Sequence, residues 1–187
     1  MRQRIIPSVF KMKSFEVFLK SNLDYCFVMD MHVALLGSMI ETAHQRGKKV
    51  IVHMDMVKGI SSDEYGCEFV CQVLKADGVI STKAKVLETA KKNHKITILR
   101  TFLIDTKSLE KGINLANELE PDYLEILPAI ALDIMPFIKS KTNTMIIGGG
   151  LVKNMNQINK CLDAGMQAVS ISDEDLWRQA QHLTNGG

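Results

Sequence analysis

TMIIGGGLVKNMNQINKCLDAGMQAVSIS, residues 144–172, decides how the whole chain is read. A β-branched apolar run ends in three glycines. A polar, helix-period stretch follows near 153–163, and a second apolar run, AVSIS, occupies 168–172. Two apolar runs separated by one amphipathic helix predict a parallel strand–helix–strand unit. Glycine loses more conformational freedom on ordering than any other residue, so a run of three implies a close approach that side chains would obstruct.

The same unit recurs outward from this stretch. Apolar runs stand at 5–9 (IIPSV), 25–30 (YCFVMD), 49–55 (KVIVHMD), 78–81 (GVIS), 96–101 (ITILRT), 123–128 (YLEILP), 144–149 and 168–172. Helical periodicity falls near 12–20, 35–46, 63–75, 83–93, 107–119, 131–140, 153–163 and 174–182. Gly47 closes the second helix, Ser62 and Asp63 cap the third, and Pro121 follows the fifth. The runs are nearly continuous in Val, Ile, Leu and Met, as expected for strands covered on both faces. Eight βα units predict a compact (βα)8 TIM-like barrel forming one domain over 1–187. An open doubly wound sheet is the alternative.

Composition excludes several classes. Of 187 residues, 46% are hydrophobic and 24% charged, ordinary values for a globular chain. No apolar stretch is long enough to cross a membrane, and the basic start MRQRIIPSVFKMKSF lacks a signal-peptide core. Cys26, Cys67, Cys71 and Cys161 form no CxxC pair and read as buried thiols, which fits a reducing cytoplasm. No metal-ligand cluster or catalytic triad is legible from spacing, so neither a metal nor a cofactor is expected. A net charge of +2 lacks the strong basic bias usual in nucleic-acid binders.

In a barrel, ligands bind at the carboxyl ends of the strands, and phosphate often sits after strands seven and eight. Gly148, Gly149 and Gly150 lie after the seventh strand, with Ser170 and Ser172 at the eighth. Bared N–H groups, hydroxyls and a helix start favour a phosphate dianion there. Asp30, His32, His53, Asp55, Lys58, Ser81, Thr82, Lys83, Arg100, Thr101 and Glu125 stand at the other strand ends, as do Pro7 and Ser8 at the first. Asp30 and Asp55 also suit helix capping. Glu125 interrupts an apolar run and needs either a ligand hydroxyl or an internal partner among Arg100, Lys58 and Lys83. His44, His94 and His182 fall on helices or their ends as surface residues, and Trp177 packs its helix onto the barrel.

HMDMVKGISSDE, DGVISTK, YLEILPAI, IIGGGLV and AVSISDEDLW, in this order from about Ile5 to Trp177, resemble the glycerol-3-phosphate responsive antiterminators. The resemblance implies a barrel that binds glycerol 3-phosphate as effector and acts on the leader mRNA of glycerol operons, allowing transcription past a terminator. The chain departs from the family pattern at Lys58, where that stretch is less basic, and at Ile171, where a hydroxyl is usual. For such a ligand, Asp55, Lys58, Lys83, Arg100 and Glu125 would serve the glycerol moiety or balance charge.

RNA would meet basic helix-to-strand loops on the opposite face: Arg46, Lys48 and Lys49; Lys91, Lys92, His94 and Lys95; Lys139 and Lys141. These lysines equally complement helix dipoles. Lys83, Lys85 and Arg100 at the mouth, or a dimer surface, are the alternatives, and homo-oligomerisation stays open. The competing class is a small enzyme using Glu125 and His53 on a glycerol-phosphate-like substrate.

Overall fold

The structure, a computed structural model, describes residues 3–180. Eight strands, β1 (Ile5–Val9), β2 (Tyr25–Val28), β3 (Lys49–His53), β4 (Gly78–Ser81), β5 (Ile96–Phe102), β6 (Tyr123–Leu127), β7 (Met145–Gly149) and β8 (Ala168–Ile171), alternate with eight helices. The helices are α1 (Met12–Lys20), α2 (Val33–Gln45), α3 (Glu64–Glu68), α4 (Ala84–Lys92), α5 (Thr106–Leu119), α6 (Met135–Lys141), α7 (Met155–Asp163) and α8 (Glu174–Ala180). Every strand pairs in parallel with its sequence neighbours, and β1 pairs with β8 through Ile5↔Val169, Ile6↔Ser170 and Pro7↔Ile171. That last pairing closes the barrel and excludes the open doubly wound sheet.

Closure divides the apolar residues into two cores. Ile6, Phe27, Ile51, Ile80, Ile98, Tyr123, Ile147 and Ala168 fill the barrel interior. Their strand neighbours, such as Val50, Val52, Val79, Leu99, Leu124, Ile146 and Val169, face outward against Phe15, Phe18, Leu36, Ile40, Ile113, Ile158 and Trp177 of the helices. Trp177 locks the last helix by donating its ring N–H to the carbonyl of Ile171 at 2.5 Å. All four cysteines are free and buried.

Several boundaries differ from the sequence expectation for local reasons. The third helix, expected over 63–75, is α3 plus a π turn at Phe69–Val73. The sixth begins as a 3-10 turn at Leu132–Ile134 before α6, whose first turn accepts Pro136. β3 ends at His53, and a 3-10 turn over Met54–Met56 carries Asp55 away from the strand direction. The end of the helix expected at 174–182, with His182, lies outside the described residues.

Candidate functional site

Alternation with period two builds the site directly above the interior isoleucines. Ile6, Ile51, Ile98 and Ile147 belong to the inner core on the odd-numbered strands. Two residues further along those strands stand Ser8, His53, Arg100 and Gly149, one barrel layer toward the mouth. On β6 and β8 the same step leads from Tyr123 and Ala168 to Glu125 and Ser170. The interior is therefore apolar below and polar at its carboxyl end.

Glu125 organises this layer. Its Oε2 accepts from Arg100 Nε at 2.8 Å and from Nη2 at 2.8 Å, and its Oε1 accepts from Ser170 Oγ at 2.7 Å. β5 and β6 set the carboxylate and guanidinium side by side, because Arg100 and Glu125 are register partners. Of the partners expected for Glu125, only Arg100 is used. The pair is almost wholly enclosed, so its charges cancel locally, and Arg100 keeps its remaining N–H groups for the mouth.

The three glycines meet three different needs. A Cβ at Gly148 would run into Met166 and Ala129, so this residue faces the helical shell and permits close packing there. A Cβ at Gly149 would lie 2.8 Å from Glu125 Oε1 and 2.8 Å from Ser170 Oγ, so glycine here admits the carboxylate network. Gly150 has φ +75°, a left-handed turn that L side chains rarely adopt, and only this glycine lines the mouth cavity. Of the three glycines expected at a phosphate site, Gly150 is the one that lines this cavity. A side chain at Gly149 would disturb the core network as well as any ligand.

The cavity at the mouth holds about 150 Å3 and is lined by Ser8, Arg100, Gly150, Lys153, Ser170 and Ser172, with Phe10, Met29 and Leu127 supplying apolar wall. Ser170 donates its hydroxyl hydrogen to Glu125, whereas Ser8 and Ser172 have no partner among the described residues, so these two hydroxyls are free to donate. A larger cleft of about 240 Å3, lined by Glu110, Asn114, Asn117 and Phe137, lies in the outer helical shell, remote from the strand ends.

Asp55, Lys58 and Lys83 do not line this cavity. Asp55 accepts from Ser62 Oγ (2.7 Å), Ser81 Oγ (2.7 Å), Thr82 N (2.7 Å) and Thr82 Oγ1 (2.9 Å), which ties the β3 turn to the end of β4. Burial raises its pKa, but these bonds to the ionised form outweigh burial and hold it below the usual carboxylate value. Lys58 pairs with Asp30 at 2.9 Å, and Lys83 Nζ donates to the carbonyl of Ser62 at 2.9 Å. Asp55 and Lys83 meet at Ser62 in a separate polar cluster, because the turn after His53 redirects the chain onto β4, while Lys58 is held apart by Asp30. Lys153, unassigned by the sequence reading, enters in their place beside Ser8, which that reading set among the polar groups at the strand ends. Ser8 was legible as the residue two beyond Ile6; for Lys153 the only signal was its place just before the helix cap Asn154.

Comparison with known proteins places this arrangement. The model of the family described as glycerol-3-phosphate responsive antiterminator matches residues 5–177. The glycerol uptake operon antiterminator regulatory protein of Listeria monocytogenes superposes with a TM-score of 0.91 at 34% identity, covering 95% of this chain and 96% of that one. The chain belongs to the glycerol-3-phosphate responsive antiterminator family. A glycerol uptake operon antiterminator-related protein of Thermotoga maritima matches with a TM-score of 0.83 at 30% identity, covering 95% of this chain and 99% of that one. The protein YgcP of Escherichia coli (strain K12) is 27% identical over 179 residues, 96% of this chain and 94% of its own length.

The structure divides the basic loops that the sequence reading offered to RNA. Lys48 turns inward: its Nζ donates to the carbonyls of Ser21 (2.8 Å) and Leu23 (2.7 Å), and it lies over the Phe18 ring. Lys91 caps α5 through the carbonyls of Leu119 (2.9 Å) and Glu120 (3.2 Å). Both satisfy helix or loop ends; Lys48 is buried in doing so, whereas Lys91 stays exposed on that face. Arg46, Lys49, Lys92, Lys139 and Lys141 are exposed on that face, and Lys95 is half-buried. Among the described residues no helix is long and apolar enough to cross a membrane, and no group of three His, Cys, Asp or Glu could hold a metal ion.

Proposed function

We propose that this protein is a transcription antiterminator whose mouth binds glycerol 3-phosphate and whose surface binds the leader mRNA of glycerol-metabolism operons, allowing read-through of a terminator. The observation that carries the effector half is the charge balance of the cavity. Arg100 is neutralised by Glu125, and Lys58 and Lys83 are held elsewhere, so Lys153 is the uncompensated cation among the cavity's lining residues. With the Gly150 turn, the Ser172 hydroxyl and the free N–H groups of Arg100, it suits a phosphate dianion.

The same pairing favours a sensor over an enzyme. A carboxylate whose oxygens already accept two bonds from Arg100 and one from Ser170 is not free to approach a substrate proton. The effector is then the only small molecule the reading requires, with no cofactor and no metal.

Calorimetry with glycerol 3-phosphate tests the site. Lys153→Gln should weaken glycerol 3-phosphate and inorganic phosphate alike by about 10-fold, the loss of one charge-assisted contact, with Lys153→Arg retaining most affinity. Unchanged affinity in Lys153→Gln would remove this residue from the site. Leader-RNA binding measured with and without glycerol 3-phosphate tests the regulatory half. An affinity for RNA that ignores the effector, or turnover of the effector by pure protein, would sink it.

A further inference from the structure

Two clefts flank the carboxyl end of α6, where the chain turns back toward β7 on the face opposite the mouth. One, of about 240 Å3, lies between α5 and α6 and is lined by Glu110, Asn114, Asn117, Phe137 and Lys141. The other, of about 270 Å3, is lined by Lys139, Asn143, Thr144, Met145 and Gln167 beside the starts of β7 and β8. Lys139 and Lys141 are two residues apart on α6 and do not share a face, so each serves its own cleft.

The first cleft is polarised. Glu110, Asn114 and Asn117 are spaced four and three residues apart and share one face of α5, which sets the carboxylate about 10 Å along the helix from Asn117. Asn117 Nδ2 donates to the backbone carbonyl of Lys141 at 2.9 Å, tying the basic end of α6 to α5. Phe137 is 40% exposed, and the Lys141 ammonium lies 5.8 Å from its ring centroid. The second cleft places the amides of Asn143 and Gln167 beside Lys139, with the half-exposed Met145 as apolar wall.

The polar groups of both clefts are largely unspent. Among the described residues, the side chains of Glu110, Asn114, Asn143, Gln167 and Lys139 have no hydrogen-bond or ion-pair partner, and Lys141 forms no ion pair. Lys48 and Lys91, by contrast, give their ammonium groups to backbone carbonyls. An apolar wall, free amides and a cation at the edge are what an unstacked nucleotide requires: the base packs on the wall, its edge meets the amides, and its phosphate stays at the lysine. Glu110 adds an acceptor for a base amino group and would repel the side chains of an acidic peptide. We infer that these clefts take unstacked bases of single-stranded leader RNA, one on each side of α6, with the phosphates between them on Lys139 and Lys141. This rests on the reading of the helix-to-strand face as the RNA surface and adds where on that face the sequence is read. The rest of the basic rim then supplies backbone contacts, which position RNA without specifying it.

The test measures the affinity of the full chain for leader RNA and for a scrambled RNA of equal length across a salt series. Asn114→Ala combined with Gln167→Ala removes one amide from each cleft. It should weaken leader RNA by about 10- to 100-fold while leaving the scrambled RNA and the salt slope unchanged. Phe137→Leu should weaken both RNAs by about 10-fold, because stacking is indifferent to sequence. Lys139→Gln combined with Lys141→Gln should make the slope of log affinity against log salt shallower by about 1.4, at ~0.7 per contact. Melting temperature and glycerol 3-phosphate binding, both expected at wild-type values, separate these local losses from misfolding. An amide double replacement that keeps the wild-type preference for leader RNA, or weakens both RNAs equally, overturns the inference and leaves the antiterminator reading standing. If the wild type does not distinguish leader from scrambled RNA, the RNA half of the proposed function falls and takes the inference with it.

Discussion

Glu125 is a carboxylate inside a barrel, and its cost is met by three hydrogen bonds from two neighbours. Breaking such a pair from one side is more damaging than removing it whole, because the survivor is left charged and enclosed. Glu125→Ala should therefore destabilise the protein by about 3–5 kcal/mol in urea unfolding, the usual cost of stranding a buried partner. The double replacement Arg100→Met with Glu125→Leu should recover most of that loss. A single-mutant cost below about 1 kcal/mol would mean that water reaches Arg100 and the pair is effectively a surface one. In the proposed site Glu125 works through its neighbours: it holds Arg100 in place and accepts the Ser170 hydroxyl's hydrogen bond. Its removal should accordingly weaken glycerol 3-phosphate and inorganic phosphate together.

The elements around β3 and β4 depend on Asp55 in a comparable way, but at a half-buried position. Its four hydrogen bonds fasten the 3-10 turn after β3 to the end of β4. Asp55→Ala should cost about 1.5–3 kcal/mol, the range for hydrogen bonds to a charged group. Because the folded-state pKa lies below the ordinary 3.8, the folded protein releases this proton more readily than the unfolded chain. The stabilisation is thus fully present above that ordinary value and is lost as pH falls through the lower, folded one. Urea midpoints of the wild type and Asp55→Ala should converge on acidification below about pH 4, since the bonds favour only the ionised carboxylate. A difference that stays constant into that range would assign the effect to packing. The sequence showed Asp55 as either cap or ligand; only the turn, with the strand ending at His53, decides for the tether.

For the whole molecule, closure puts all the strand-to-helix loops on one face and all the helix-to-strand loops on the other. The proposed effector site and the proposed RNA face are then opposite ends of one barrel. With the Lys48 and Lys91 ammonium groups engaged by backbone carbonyls, the test set is Arg46, Lys49, Lys92 and Lys95, replaced together by Gln. If these four contact RNA phosphates, affinity falls and the slope of log affinity against log salt becomes shallower by about 3, at ~0.7 per contact with single-stranded RNA. Glycerol 3-phosphate binding should be unaffected. An unchanged slope would move RNA to the mouth or to an interface between copies.

Strand and helix positions were legible in the sequence because their causes are local. Period-two and period-3.6 alternation, caps such as Asp63, and the repeated βα rhythm act within a few residues. The polar ring at the strand ends was legible for the same reason: Arg100, Glu125 and Ser170 each follow an inward apolar residue by two positions. Which of those groups meet was decided only by tertiary structure. Arg100 and Glu125 are 25 residues apart and meet through the β5–β6 register, while Glu125 and Ser170 are 45 apart and meet over Gly149 of the intervening β7. The same register turns Gly148 outward and Gly149 inward, withdraws Asp55, Lys58 and Lys83 from the cavity, and brings in Lys153. It also encloses His53 with no partner of its own. Alternation fixes the face a side chain takes, whereas its neighbour on that face comes from distant strands, and no local pattern specifies them.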